Sequence, residues 1–186
     1  MWTRKSSLPS SSGVVFPNIP RVVVAVVCIF GQLAWICQAQ SSKNATTDPL
    51  EVQIINSVFR TINISADTNL WNISGEPCSG AATNSTPFTN QYMTPLIKCD
   101  CSYNDNTTCH ITHLTLGNTI VDGTIPDELW NLTYLVNLDL SYNRFTGSLS
   151  PAIGNLTQLQ YLNVSGNALS GEIPAEIWQL TELKSL

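Results

Sequence analysis

Charge is what this sequence has least of. Only 11% of its 186 residues are Asp, Glu, Lys or Arg, against roughly 25% in an ordinary soluble domain. What charge there is leans acidic, with 8 Lys+Arg against 13 Asp+Glu. That removes the basic footprint expected of a protein that binds nucleic acid or an anionic membrane surface. Histidine is equally scarce. His110 and His113 form an H-x-x-H pair, but no carboxylate or third histidine stands at ligand spacing, so no metal centre is expected. Asn104-Asp105-Asn106 lacks the Gly and distal Glu of a calcium loop. There is no Gly-rich phosphate loop, no G-x-S-x-G and no Cys-His nucleophile arrangement, so no enzyme activity and no cofactor are expected. Apolar runs of about 20 residues, the length that spans a bilayer, are also missing. The length allows one domain, with no room for a kinase beside it.

The longest apolar stretch is Val22 to Cys37, 16 residues without charge, preceded by Arg4, Lys5 and Arg21 and followed by small Ala39. A positive start, an apolar centre and a small-residue site are the parts of a secretory signal peptide, here residues 1–39 with cleavage after Ala39. An uncleaved signal anchor is the competing reading; either way the rest of the chain enters the secretory lumen and faces the outside. Residues 40–186 then hold 5 basic and 13 acidic groups.

Two counts agree with that compartment. The sequon N-x-[S/T] occurs at Asn44, Asn63, Asn72, Asn84, Asn106, Asn131, Asn155 and Asn163, where chance placement of the same residues gives roughly 3.5. A heavily glycosylated surface is expected. Beyond the signal, four cysteines remain: Cys78, Cys99, Cys101 and Cys109. In an oxidising compartment an even number in a short segment reads as disulfides. Four cysteines allow three pairings. Sequence alone does not choose among them; the small ring closed by Cys99–Cys101 is disfavoured, and of the two that remain we lean to Cys78–Cys99 with Cys101–Cys109.

From Thr108 the chain repeats every 24 residues: Thr108–Asn131, Leu132–Asn155, Leu156–Gln179, and a fourth row from Leu180 that stops at Leu186. Ile111, Leu135, Leu159 and Leu183 share one column; Leu114, Leu138, Leu162 and Leu186 share the next. Further columns hold Val121, Phe145 and Leu169; Gly123, Gly147 and Gly171; Ile125, Leu149 and Ile173. The pattern L-x-x-L-x-L-x-x-N, with Asn143 and Asn167 at the turn and Thr119 in their place in the first row, is that of the leucine-rich repeat. Such coils bury their apolar sides only by stacking, so three coils without a continuation are expected to be marginal and prone to associate.

Ahead of the repeats, Asp48-Pro49-Leu50-Glu51 gives an N-cap, Pro at N1 and Glu at N3, a capping-box-like start. Leu50, Ile54, Ile55, Val58, Phe59 and Ile62 follow at helical spacing as one apolar face. Trp71, Trp130 and Trp178 are assigned to packing rather than to a cofactor.

The stretches Val121-Asp122-Gly123-Thr124-Ile125-Pro126 and Leu169-Ser170-Gly171-Glu172-Ile173-Pro174 resemble the plant-type repeat of secreted and receptor leucine-rich proteins. Trp71 to Gly80, Pro95 to Cys101 and Cys109 to Thr112 resemble the N-terminal region of plant leucine-rich receptor-like kinases, in the branch whose ectodomains carry a malectin-like domain. The resemblance implies an α/β fold: a right-handed solenoid of plant-type repeats over 108–186, and a helical, disulfide-closed N-terminal cap over 40–107. It also implies a non-catalytic recognition module at the cell surface. A kinase would belong only to a full-length relative. A secreted inhibitor of cell-wall-degrading enzymes is the alternative. Residues at the outward positions of the repeat strands are the binding candidates: His113, Thr115 and Gly117; Asn137, Asp139 and Ser141; Tyr161, Asn163 and Ser165. The partner would be a protein, a peptide, a cell-wall carbohydrate or a co-receptor ectodomain.

Overall fold

A computed structural model describes residues 24–31, 34–41, 45–64, 75–83 and 95–186. The chain divides into two units, 1–43 and 44–186. In the first, strands β1 (Val24–Gly31) and β2 (Ala34–Ser41) pair antiparallel as a hairpin. The expected cleavage point, Ala39, lies in β2; the basic residues expected to open a signal peptide lie outside the described residues. No helix among the described residues is long and apolar enough to cross a membrane.

The second unit begins with the short strand β3 (Thr46–Thr47) and the helix α1 (Pro49–Thr61). Asp48 caps α1, its carboxylate accepting from the amides of Leu50 at 2.8 Å and Glu51 at 3.4 Å. Proline at the first helical position costs nothing, because its missing N–H would be unpaired there anyway. Ile54, Ile55, Val58, Phe59 and Ile62 are buried as the spacing predicts, but Leu50 is 61% exposed. It stands in the first turn, before the buried stretch that runs from Glu51 to Ile62. Glu51 departs from the expectation too. Its carboxylate does not close a capping box but is buried, accepting from the Ile111 amide at 2.7 Å and meeting His110 Nδ1 at 2.9 Å. Helix and first repeat strand are thereby tied together.

Strands β4 (Leu96–Tyr103) and β5 (Thr108–Thr115) form an antiparallel hairpin. Its tip holds Asn104, Asp105 and Asn106 in the left-handed region, φ 50°, 55° and 59°. Asn and Asp tolerate this better than other side-chain-bearing residues. Disulfides join Cys78 to Cys99 and Cys101 to Cys109, fastening β4 to the segment before it and to β5.

β5 opens a parallel sheet. It pairs with β3 at Thr108–Cys109 and with β7 (Asn137–Asp139) at His113–Thr115, and β7 pairs with β9 (Tyr161–Asn163). The register is that of the repeat: Leu114 opposite Leu138, and Leu138 opposite Leu162. A second parallel sheet runs through β6 (Asp122–Thr124), β8 (Arg144–Gly147) and β10 (Ala168–Leu169). Its register is skewed relative to the sequence columns. Gly123 stands opposite Phe145, not Gly147, and Thr124 opposite Thr146. Short 3-10 turns, Asp127–Asn131, Pro151–Asn155 and Ala175–Gln179, return each coil. In the second coil Ser150 stands where the others have proline; its hydroxyl caps the turn by accepting from the Ala152 amide at 3.3 Å.

Between the layers lies the core: Ile111, Leu135 and Leu159; Leu114, Leu138 and Leu162; Leu116 and Leu140; Val121 and Phe145; Leu129 and Ile153, all buried. Trp130, fully buried, sits in the 3-10 turn against which α1 packs. In the last coil the same columns are incompletely covered. Val164 and Leu169 are half-buried, Ile173 is 64% exposed and Leu186 63%. Trp178, in the column of Trp130, is 85% exposed. Leu149, Val164, Leu169, Ile173 and Leu186 line an apolar groove of about 260 Å³.

Candidate functional site

Alternation along β5, β7 and β9 sends the leucines inward and their neighbours outward. His113, Asn137 and Tyr161 form one outward row in register, and Thr115, Asp139 and Asn163 the next. Gly117, Ser141 and Ser165 continue the face at the strand ends. Exposure rises along the stack: His113, Thr115, Asn137 and Asp139 are half-buried, Ser141 is buried, and Tyr161, Asn163 and Ser165 are exposed.

The face is held by backbone bonds between coils. The amides of Leu116 and Asn118 donate to the carbonyls of Asp139 at 2.7 Å and Ser141 at 2.9 Å. One coil on, Leu140 and Tyr142 donate to Asn163 at 2.8 Å and Ser165 at 2.9 Å. At the turn behind it, Asn143 is buried. Its Nδ2 donates to the carbonyls of Leu116 and Leu140 at 2.7 and 3.1 Å. Its Oδ1 accepts from the amides of Thr119 and Val121 at 3.2 and 3.0 Å. Asn167 repeats the pattern, donating to Leu140 at 2.9 Å and accepting from Phe145 at 3.0 Å. Thr119 has no amide with which to satisfy two coils at once; its hydroxyl lies 2.7 Å from the carbonyl of Leu116, in its own coil, and 3.1 Å from Asn143 Oδ1 of the next.

The electrostatics of the face are mixed. The Asp139 carboxylate accepts from the Ser141 amide at 2.9 Å. It leans over Gly117, where an added Cβ would meet its oxygens at 3.6 Å. A glycine there leaves the acidic group open to a ligand. His113 stands opposite Lys98 of β4 in the strand register. Burial, with the nearby Lys98 ammonium, pulls its imidazole below the ordinary histidine value, so this end of the face keeps a neutral ring with hydrogen-bonding capacity. At the other end Lys184 donates to Gln160 Oε1 at 2.8 Å, with its ammonium 5.9 Å from the Tyr161 ring centre. Lys98 and Lys184 escape a reading by repeat column. The first reaches the face through an antiparallel strand outside the period, the second from the beginning of the fourth row.

His110, by contrast, is structural. It stacks on Tyr134 at 3.6 Å, with Tyr103 edge-on at 4.7 Å and Glu51 beneath. Burial pushes the Glu51 carboxyl above its ordinary range, against the opposing effect of its hydrogen bonds to Ile111 and His110. Among the described residues no group of three or more His, Cys, Asp or Glu is arranged to hold a metal ion. Of the sequon asparagines, Asn63, Asn106, Asn131, Asn155 and Asn163 are exposed; Asn44, Asn72 and Asn84 lie outside the described residues, as does Trp71.

The Leucine Rich Repeat family model matches residues 134–156 and 158–180, the two coils that carry the turn asparagines. Two probable LRR receptor-like serine/threonine-protein kinases of Arabidopsis thaliana are each 46% identical to this chain, over 64% and 61% of its length. The chain spans only 11% of the length of either, and no kinase domain falls in the matched region. Among solved structures, the LRR ectodomain of the receptor kinase SOBIR1 from Arabidopsis thaliana aligns with a TM-score of 0.54 at 18% identity, covering 76% of this chain and 70% of that one. A plant ice-binding protein aligns with the same TM-score at 21% identity, over 75% of this chain and 40% of that one. These last two likenesses are of fold. The chain thus carries leucine-rich repeats and is similar, over most of its length, to the ectodomain portion of plant leucine-rich repeat receptor-like kinases.

Proposed function

We propose that this chain is an extracellular recognition module of a receptor-like protein, binding a protein, a peptide or a cell-wall carbohydrate through the outward face of the first sheet. In this reading residues 1–39 direct the chain into the secretory pathway and are removed. Residues 40–107, with α1 and the two disulfides, close one end of a right-handed solenoid, and 108–186 present the binding face. N-terminal sequencing of the secreted protein is then expected to begin at Gln40. The observation that carries the proposal is the registered double row of hydrogen-bonding side chains, His113-Asn137-Tyr161 and Thr115-Asp139-Asn163, over a fully buried leucine layer. Rigid strands fix such groups at constant spacing, which lowers the ordering cost of binding. The test is a screen of the secreted protein against immobilised synthetic peptides, cell-wall oligosaccharides and receptor-kinase ectodomains. The double variant Asn137→Ala/Asp139→Ala is expected to weaken every specific interaction at least tenfold. The pair Asp122→Ala/Arg144→Ala, on the second sheet, is expected to change none. Interactions indifferent to the first pair and abolished by the second would move the binding site to the other sheet.

A further inference from the structure

The repeat asparagines fall into two kinds. Asn143 and Asn167 spend both ends of their amides on the backbone: oxygens accept, and Nδ2 donates to carbonyls of two coils. Asn163 is different. Its Oδ1 accepts from the Ser165 amide at 3.2 Å and the Ser165 hydroxyl at 2.8 Å, while no described residue accepts from its Nδ2. In the preceding coil the position in register with it is Asp139, whose Oδ1 accepts from the Ser141 amide in the same way. An aspartate therefore does the structural work of this position, and the amide nitrogen is surplus to the fold. Asn163 is exposed, and the surplus atom belongs to the sequon Asn163-Val164-Ser165.

We propose that Asn163 carries an N-linked glycan, and that this glycan covers the Tyr161 end of the sheet face, so that the binding rows proposed above narrow to His113, Thr115, Asn137 and Asp139. The modification rests on the secretory reading above, and its consequence for ligands on the sheet-face reading. The chemistry is a group transfer from a lipid-linked diphosphate oligosaccharide. Nδ2 forms a bond to the anomeric carbon and loses a proton; the bond from that carbon to the diphosphate oxygen breaks, and the lipid diphosphate leaves with the electron pair. The other described sequons interfere less with the face. Asn131 and Asn155 end the 3-10 turns Asp127–Asn131 and Pro151–Asn155, one coil apart and outside the strand rows. Asn163 alone among them stands within a strand of the first sheet.

Two measurements on the full chain secreted from eukaryotic cells test this. Glycopeptide mapping is expected to find Asn163 occupied, and Asn163→Asp to remove one glycan while keeping the melting temperature of the untreated protein. An unmodified Asn163 overturns the proposal, as does an Asn163→Asp chain that unfolds, because the aspartate equivalence would then be false. The covering is read by hydroxyl-radical labelling. Tyr161 and Tyr142 are both exposed, at 44% and 68%, but Tyr142 lies beyond the strands. Enzymatic deglycosylation of the folded protein, which converts the asparagine to aspartate, is expected to raise Tyr161 labelling severalfold and leave Tyr142 unchanged. Equal Tyr161 labelling before and after would refute the covering. None of these results depends on finding a ligand, so a failed screen and a failed glycan site remain distinct outcomes.

Discussion

Single residues in this molecule are best understood by what the 24-residue period asks of them. Asn143 meets the demand: one buried amide satisfies polar groups of two coils that water cannot reach. Asn143→Ala strands several of them, and each unmet buried group costs about 1–3 kcal/mol. A loss of about 2–4 kcal/mol in urea unfolding is expected, well above the loss from Asn137→Ala on the exposed face. Ile120 is the opposite case. It is β-branched, 65% exposed, and held at φ 59°, a conformation only glycine adopts freely. The neighbouring Thr119, lacking the amide of asparagine, accompanies a turn in the first coil in which Ile120 takes the left-handed conformation that Arg144 and Ala168 avoid. Ile120→Gly relieves strain and sacrifices little burial, so it is expected to stabilise by about 1 kcal/mol, read as a higher thermal midpoint. A lower midpoint would show that the side chain contributes packing its exposure conceals.

Among elements, the junction between α1 and β5 carries the most chemistry. Glu51 binds its proton more tightly in the fold than in the unfolded chain, because burial outweighs its hydrogen bonds. Its pH-dependent contribution to stability is therefore complete below the ordinary glutamate value and lost as pH rises through the raised folded value. Glu51→Gln keeps an acceptor for Ile111 but removes the charge. Its stability profile is expected to be flatter over that window, whereas Glu51→Ala should be destabilised at every pH. Parallel profiles for wild type and Glu51→Gln would remove the carboxyl from the account. The disulfides act beside this junction, fastening β4 to the segment before it and to β5. Replacing Cys78 and Cys99 by alanine together is expected to cost about 2–5 kcal/mol, with folding yield as a second measure. The helix, its cap and its apolar face are visible in the spacing from Asp48 to Ile62. The partner of Glu51 is not, because a carboxylate at the third helical position reads locally as a capping box and nothing in the local pattern points to a histidine 59 residues away.

For the molecule as a whole, the period made the first sheet legible. Leu114, Leu138 and Leu162 pair where their columns put them. The second sheet was legible only as to which residues take part. Its offset, Gly123 against Phe145, comes from the skew of successive coils, which identical spacing in sequence does not encode. Burial was readable in the same uneven way. Columns report chemical equivalence, but Trp130 and Trp178 share a column and differ completely in exposure, since one lies against α1 and the other does not. Ile173 and Leu186 stand exposed beside an apolar groove, and Trp178 stands exposed on the return turn Ala175–Gln179. Soluble proteins seldom leave such surface uncovered without associating. Concentration-dependent self-association is expected in sedimentation velocity, and Ile173→Lys combined with Trp178→Lys should reduce it without lowering the unfolding midpoint. A wild-type chain that stays monomeric at high concentration would show that the surface is too small to drive association.

The asparagine ladder has a direction. Asn143 and Asn167 each reach back to the coil before and to their own backbone, so each of the first two coils relies on its successor to satisfy a backbone amide at or beside its second strand. Val121 is served by Asn143, and Phe145 by Asn167. Loosening the third coil therefore releases Phe145 while Val121 stays held. Amide hydrogen exchange should read this dependence directly: Asn167→Ala is expected to speed exchange of the Phe145 proton while that of Val121 stays protected.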